Sequence, residues 1–198
     1  MEELFRRAER VRQEIYRILQ GEYADDPKTM IALGWLDTAM EHHEGIIKLM
    51  RERLYGSAFS LVRGVFELMF KAHWVVGCAT LQEAEKISRN DSFDFPGTGA
   101  IVEAVDKAFG TGSHFADIKK QGWKAMNSYT HGGLLQLTRR FSGGRVEPNY
   151  NDGEIEEVVN ATTAAILNFA LLLTASPDRA QEARELEDLM IAFAEDKL

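Results

Sequence analysis

Between Ser57 and Gly77 the chain is apolar on almost every side of a helical projection, and its charges there, Arg63, Glu67 and Lys71, fall four residues apart. Positions four apart share one face of an α-helix, so these charges form a single stripe that begins at Ser60 and continues to Trp74. A helix that is apolar nearly all round must be enclosed by others. The rest of the chain supplies suitable partners. Leu4, Phe5, Val11, Ile15, Ile18 and Leu19 recur at helical spacing before Gly21, and Asp25-Asp26-Pro27 offers an acidic cap followed by proline at a first helical position. The helix begun there should reach about Tyr55, carrying Ile31, Trp35, His42, Ile46 and Leu49 on one side. Thr80-Leu81-Gln82-Glu83 has the form of a capping box. Further helices are predicted over Thr98–Phe109, His114–Thr130 and Leu134–Phe141, from Asp152 to about Thr174, and onward from Ser176-Pro177. Asn90–Gly99, pinned by Phe93 and Phe95, and Ser142–Asp152 read as loops, and no stretch reads as a strand. The expected fold is all-α, an antiparallel helical bundle with a short-helix insertion, in one domain over residues 1–198.

Charge singles out one segment. The net charge of −8 argues against broad, non-specific binding to nucleic acid. Yet Lys119 to Arg145 contains no Asp or Glu, and Lys119, Lys120, Lys124, Arg139, Arg140 and Arg145 give it six positive charges. Within it, Trp123, Asn127 and His131 are spaced by four, and Tyr129-Thr130-His131-Gly132-Gly133 sits at its centre. Histidine exchanges a proton near neutral pH and so suits general acid–base work. The two glycines would end, kink or thin the helix there and let a ligand or backbone approach.

Two readings follow for each constellation. Arg63 and Glu67 on a buried helix are either an ion pair that orients two helices, or a guanidinium offered to a phosphate or carboxylate and braced by a carboxylate. His131 is either a hydrogen-bonded structural residue or a proton carrier. Glu41-His42-His43-Glu44 lacks the spacing of a di-iron or zinc motif and reads as a solvated helix face; convergence of His43, His73 and His131 on one metal is the weaker alternative. No dinucleotide-binding, Walker or Gly-x-Ser-x-Gly motif is present, and no motif activates Cys78. A lone cysteine fits a reducing cytoplasm, the charged opening residues do not read as a signal peptide, and the apolar run of residues 161–175 is too short and polar-dotted to suggest a membrane span. No cofactor and no metal are expected. A long apolar helix often pairs, so a homodimer is.

Ser57-Ala58-Phe59-Ser60-Leu61-Val62-Arg63-Gly64-Val65-Phe66-Glu67 and Trp123-Lys124-Ala125-Met126-Asn127-Ser128-Tyr129-Thr130-His131-Gly132-Gly133 together resemble a bacterial family of uncharacterised helical proteins. In that family an S-A-x-x-L-x-R-x-x-x-E helix precedes a Y-T-H-G-G segment. More distantly the arrangement is similar to the HEPN (higher eukaryotes and prokaryotes nucleotide-binding) superfamily of helical bundles. Many of those are metal-independent endoribonucleases of toxin–antitoxin and antiviral systems, in which a paired site is the rule. Their signature is an Arg, often followed by Asn, with a His four to six residues after the Arg. Here Asn127 and His131 fit, and Met126 stands where the Arg would be.

The resemblance implies an RNase, or an RNA- or nucleotide-binding protein, with His131, Arg63 and Glu67 as catalytic candidates. Arg63 would take the part of the arginine absent at Met126. Asn127, Tyr129, Lys124, Trp123 and Arg139 are the candidate substrate contacts, and Trp123, Tyr129 or Trp74 would stack a base. The alternative is a non-catalytic interaction module, antitoxin-like or binding a small anion or partner subunit, in which Arg63, Glu67 and His131 form a buried network.

Overall fold

The computed structural model describes residues 1–90 and 93–198. Asp91 and Ser92, part of the expected Asn90–Gly99 loop, lie outside the described residues. Nine α-helices are present among the described residues: α1 (Glu2–Ile18), α2 (Pro27–Arg51), α3 (Tyr55–Gly77), α4 (Leu81–Arg89), α5 (Thr98–Phe109), α6 (His114–Thr130), α7 (Leu134–Thr138), α8 (Asp152–Leu172) and α9 (Ala180–Ala194). The fold is an all-α helical bundle.

The apolar helix α3 is the hub. It packs on α2, α5, α6 and α8, and it buries Val62, Val65, Phe66, Met69, Phe70 and Val75. Its charged stripe faces outward. Helix α8 is long and apolar enough, by length and composition alone, to cross a membrane. Here it packs against α1, α2, α3 and α9, as a core helix does. α6 and α8 flank α3 on one side of the bundle without packing closely on each other.

Local chemistry sets most of the boundaries. The Asp26 carboxylate accepts from the backbone N–H of Lys28 and Thr29, and Pro27 occupies the first position of α2. Thr80 and Glu83 close the predicted capping box of α4. The cap of α8 is Asn151, not Asp152, because Asn151 forms a second box with Glu154 while Asp152 is already helical. The helix from Pro27 stops at Arg51, short of Tyr55, where Arg53 takes a positive φ of 58°. Ser176-Pro177 opens one 3-10 turn before α9.

Two expectations are corrected. His43 is not on a solvated face: it is fully buried, and its Nε2 lies 2.9 Å from Thr163 Oγ1. Since the Thr163 hydroxyl donates to the Val159 carbonyl, it accepts from His43, which assigns the ring proton to Nε2. Burial pushes the His43 pKa down to about 3, with the nearby Arg12 charge adding to the effect. The second correction concerns the loop after α7. It holds a small antiparallel ladder, β1 (Phe141–Ser142) on β2 (Arg145–Val146), joined by Gly143-Gly144 with φ of 54° and 80°. Positive φ at both turn residues is what a two-residue hairpin needs, and glycine adopts it without strain.

Candidate functional site

Helix α6 carries the histidine to α3, and both its ends are fixed. At its start the buried Asp106 carboxylate accepts from the N–H groups of Phe115 and Ala116 and from the Thr111 hydroxyl. Burial alone would raise the Asp106 pKa, but these hydrogen bonds outweigh it and bring it below the usual carboxylate value. At its end Gly132 takes a left-handed φ of 67°, and the Gly133 N–H bonds back to the Ser128 carbonyl at 2.7 Å. This is a Schellman stop, and it makes His131 the C-cap of the helix. The hydroxyl of Thr130 then donates to the Ser60 carbonyl of α3 at 3.2 Å, so the His131 turn is tied to the charged stripe.

The guanidinium of Arg63 meets His131 Nε2 directly. A guanidinium only donates, so Nε2 carries the lone pair and the imidazole proton sits on Nδ1. Behind Arg63, its Nε is 3.3 Å from Glu67 Oε2, and the other Glu67 oxygen is 2.9 Å from Lys71 Nζ. Beneath it lies the Trp123 ring, with the guanidinium carbon 5.1 Å from the ring centroid. The cluster is open to solvent: His131 is exposed, and the Arg63 and Glu67 side chains are only half-buried. It is not the sealed network that the alternative expected.

The remaining candidates divide. Lys124 is exposed beside the cluster and has no ion-pair partner among the described residues. Asn127 stands one turn before His131, and its side-chain oxygen is enclosed without a hydrogen-bond partner. Tyr129 and Arg139 point elsewhere. Tyr129 is buried against Phe59 and Tyr150, and Arg139 pairs with Glu154 at the start of α8. Trp74 is buried against Phe93 and Phe95, and one face of Trp123 is already covered by Arg63.

Tyr129, Arg139 and Glu154 border a different feature, a groove of about 580 Å3 floored by α3 and walled by α6 and α8. Phe59, Phe66 and Met69 form its floor, and Ala125, Met126 and Ala161 its sides. Met126, the residue in the place of the expected arginine, therefore faces this groove and not His131. Sequence reasoning missed the groove altogether, since small and apolar residues on α6 and α8 look the same whether or not the helices touch.

The weaker alternative, convergence of the three histidines, does not occur. His43 bonds Thr163, His73 Nδ1 bonds the Met69 carbonyl at 2.8 Å, and His131 meets Arg63. No cluster of His, Cys, Asp or Glu suited to a metal is present among the described residues. Burial raises the Cys78 thiol pKa, which disfavours the reactive thiolate.

A family model described as a family of unknown function (DUF6988) matches residues 36–195, a span that contains α3, α6 and every residue of the Arg63–His131 cluster. The chain belongs to this family. No curated protein and no solved structure matches it. For this DUF6988 member the cluster itself is thus the guide to chemistry.

Proposed function

We propose that the Arg63–His131 pair engages the phosphodiester backbone of RNA, and that the chain is a HEPN-like, metal-independent ribonuclease or RNA-binding protein of a cytoplasmic toxin–antitoxin or antiviral system. The observation that carries this reading is the guanidinium set against a neutral imidazole nitrogen at the solvent surface. An incoming phosphate takes the guanidinium from the imidazole and frees the Nε2 lone pair. That nitrogen removes the proton of a ribose 2′-hydroxyl, the 2′-oxygen attacks phosphorus, and the P–O5′ bond breaks. The imidazolium returns the proton to the leaving 5′-oxygen, giving a 2′,3′-cyclic phosphate and a 5′-hydroxyl. Arg63 stabilises the charge gathered on the phosphorane oxygens, Glu67 and Trp123 hold it in place, and Lys124 adds attraction for the strand. Cleavage of single-stranded RNA by the wild type, set beside His131→Ala, tests it. Equal product in the two would overturn it.

A second reading rests on the three-sided hold on Arg63 by Glu67, Trp123 and His131. Here the cluster is a brace between α3 and the end of α6, in a non-catalytic, antitoxin-like interaction module or small-anion binder. It requires Arg63→Ala and His131→Ala to melt well below the wild type and neither protein to cleave RNA.

A further inference from the structure

Beyond the site, the 13 residues from Leu134 to Val146 form an arm of α7 and the β1–β2 hairpin that leaves its large apolar side chains in water. Leu134 is 71% exposed, Leu137 55%, Phe141 48% and Val146 80%. The arm is held to the body by polar contacts: Arg139 with Glu154, the Gln136 amide with the Gly56 carbonyl, and the Leu135 N–H with Ser128 Oγ. Such an apolar concentration in one stretch is unusual on a monomer surface. Directly beside it lies the open α6–α8 groove, lined largely by apolar side chains. The two features share a border, because Leu135 and Arg139 of the arm also line the groove.

We propose that the groove is filled by the arm of a second copy of this chain, in a two-fold exchange that seats each arm in its partner's groove. An isologous interface needs a patch that contains both halves of the contact, side by side, and an apolar projection next to an apolar trough satisfies that condition. Charge selects the same occupant. The arm has Arg140 and Arg145 and no acid, whereas the α8 rim of the groove presents Glu157 to solvent. The arm fits a basic-to-acidic pairing between copies, and its apolar side chains match the apolar lining of the trough. The exchange does not depend on RNA chemistry at His131, which does not line the groove.

Sedimentation at micromolar concentration tests the exchange, with two substitutions at exposed positions: Leu137→Asp on the arm and Ala164→Arg on the groove wall. The wild type is expected to sediment with the mass of two chains, and each variant with that of one, at unchanged helical circular dichroism. In a Cys78→Ser background, mild oxidation of Leu137→Cys mixed with Ala164→Cys should give a disulfide-linked pair that neither variant gives alone. A single-chain wild type overturns the proposal, as does a dimer that survives both substitutions or a dimer without the cross-link. A monomer whose groove takes up an apolar fluorophore would also overturn it and assign the groove to a small ligand.

Discussion

The guanidinium of Arg63 and the imidazole of His131 meet although 68 positions separate them in the chain. One comes from the middle of the most enclosed helix and the other from the C-cap of a neighbouring one. Removing either should act on chemistry more than on folding, because both reach solvent. Under the ribonuclease reading, His131→Ala and Arg63→Ala each lower the cleavage rate by about 100-fold or more. Arg63→Lys recovers little of it, since a lysine cannot span two phosphate oxygens as a guanidinium does. Adding a chelator leaves the wild-type rate unchanged. Steady-state kinetics on a labelled oligonucleotide checks all three outcomes.

The turn that delivers His131 offers a second check. Gly132 holds a φ of 67°, so Gly132→Ala should cost about 1–2 kcal/mol. Gly112, at the opposite end of α6, has a φ of 71° with open space around it, and Gly112→Ala should cost a similar amount. Matched melting points, with RNA cleavage impaired only in Gly132→Ala, would separate the placement of His131 from general stability. Equal activity in the two variants would remove the turn from the mechanism.

Thr163→Val tests the buried histidine. Valine keeps the shape of the side chain but leaves the His43 N–H without an acceptor, which costs about 1–3 kcal/mol. For a chain of this size the melting temperature should fall by roughly 2–4 °C per kcal/mol. Thermal denaturation at neutral pH provides the measurement.

Acid should destabilise the protein through the same group. In the folded state burial pushes the His43 pKa down to about 3 and that of His73 to about 4, against an ordinary value of 6.5. Between those limits the unfolded chain binds protons that the folded chain refuses, so stability rises with pH. Stability is therefore lost as pH drops below about 6.5, by about 1.4 kcal/mol per unit for each histidine. His73 ceases to contribute near pH 4 and His43 near pH 3. Urea midpoints taken between pH 7 and pH 4.5 should show this fall, and Asp106, whose pKa is lowered below the usual carboxylate value, stays ionised over most of the window.

Periodicity and caps made the helices legible: Asp26-Pro27, Thr80-Glu83 and the apolar run after Ser57 each announce an element by its own local chemistry. The pairing of Arg63 with His131 could be suspected because each was a polar exception in a suggestive setting. The division of the acid-free segment could not. Lys124 and Arg139 look alike in a sequence, and only the Schellman turn at Gly132 and the ion pair to Glu154 send Arg139 toward the groove. His43 was misjudged for a related reason. Its neighbours Glu41 and Glu44 suggest solvent, while its partner Thr163 lies 120 residues away. Long-range partners leave no local trace.

The arrest of α6 at both ends has a mechanical consequence. A helix usually owes its orientation to neighbours along its length, and α6 faces an open groove along part of its own. With Asp106 pinning its first turn and Thr130 its last, it behaves like a beam on two supports. It can gain or lose a companion on the groove side without carrying His131 away from Arg63.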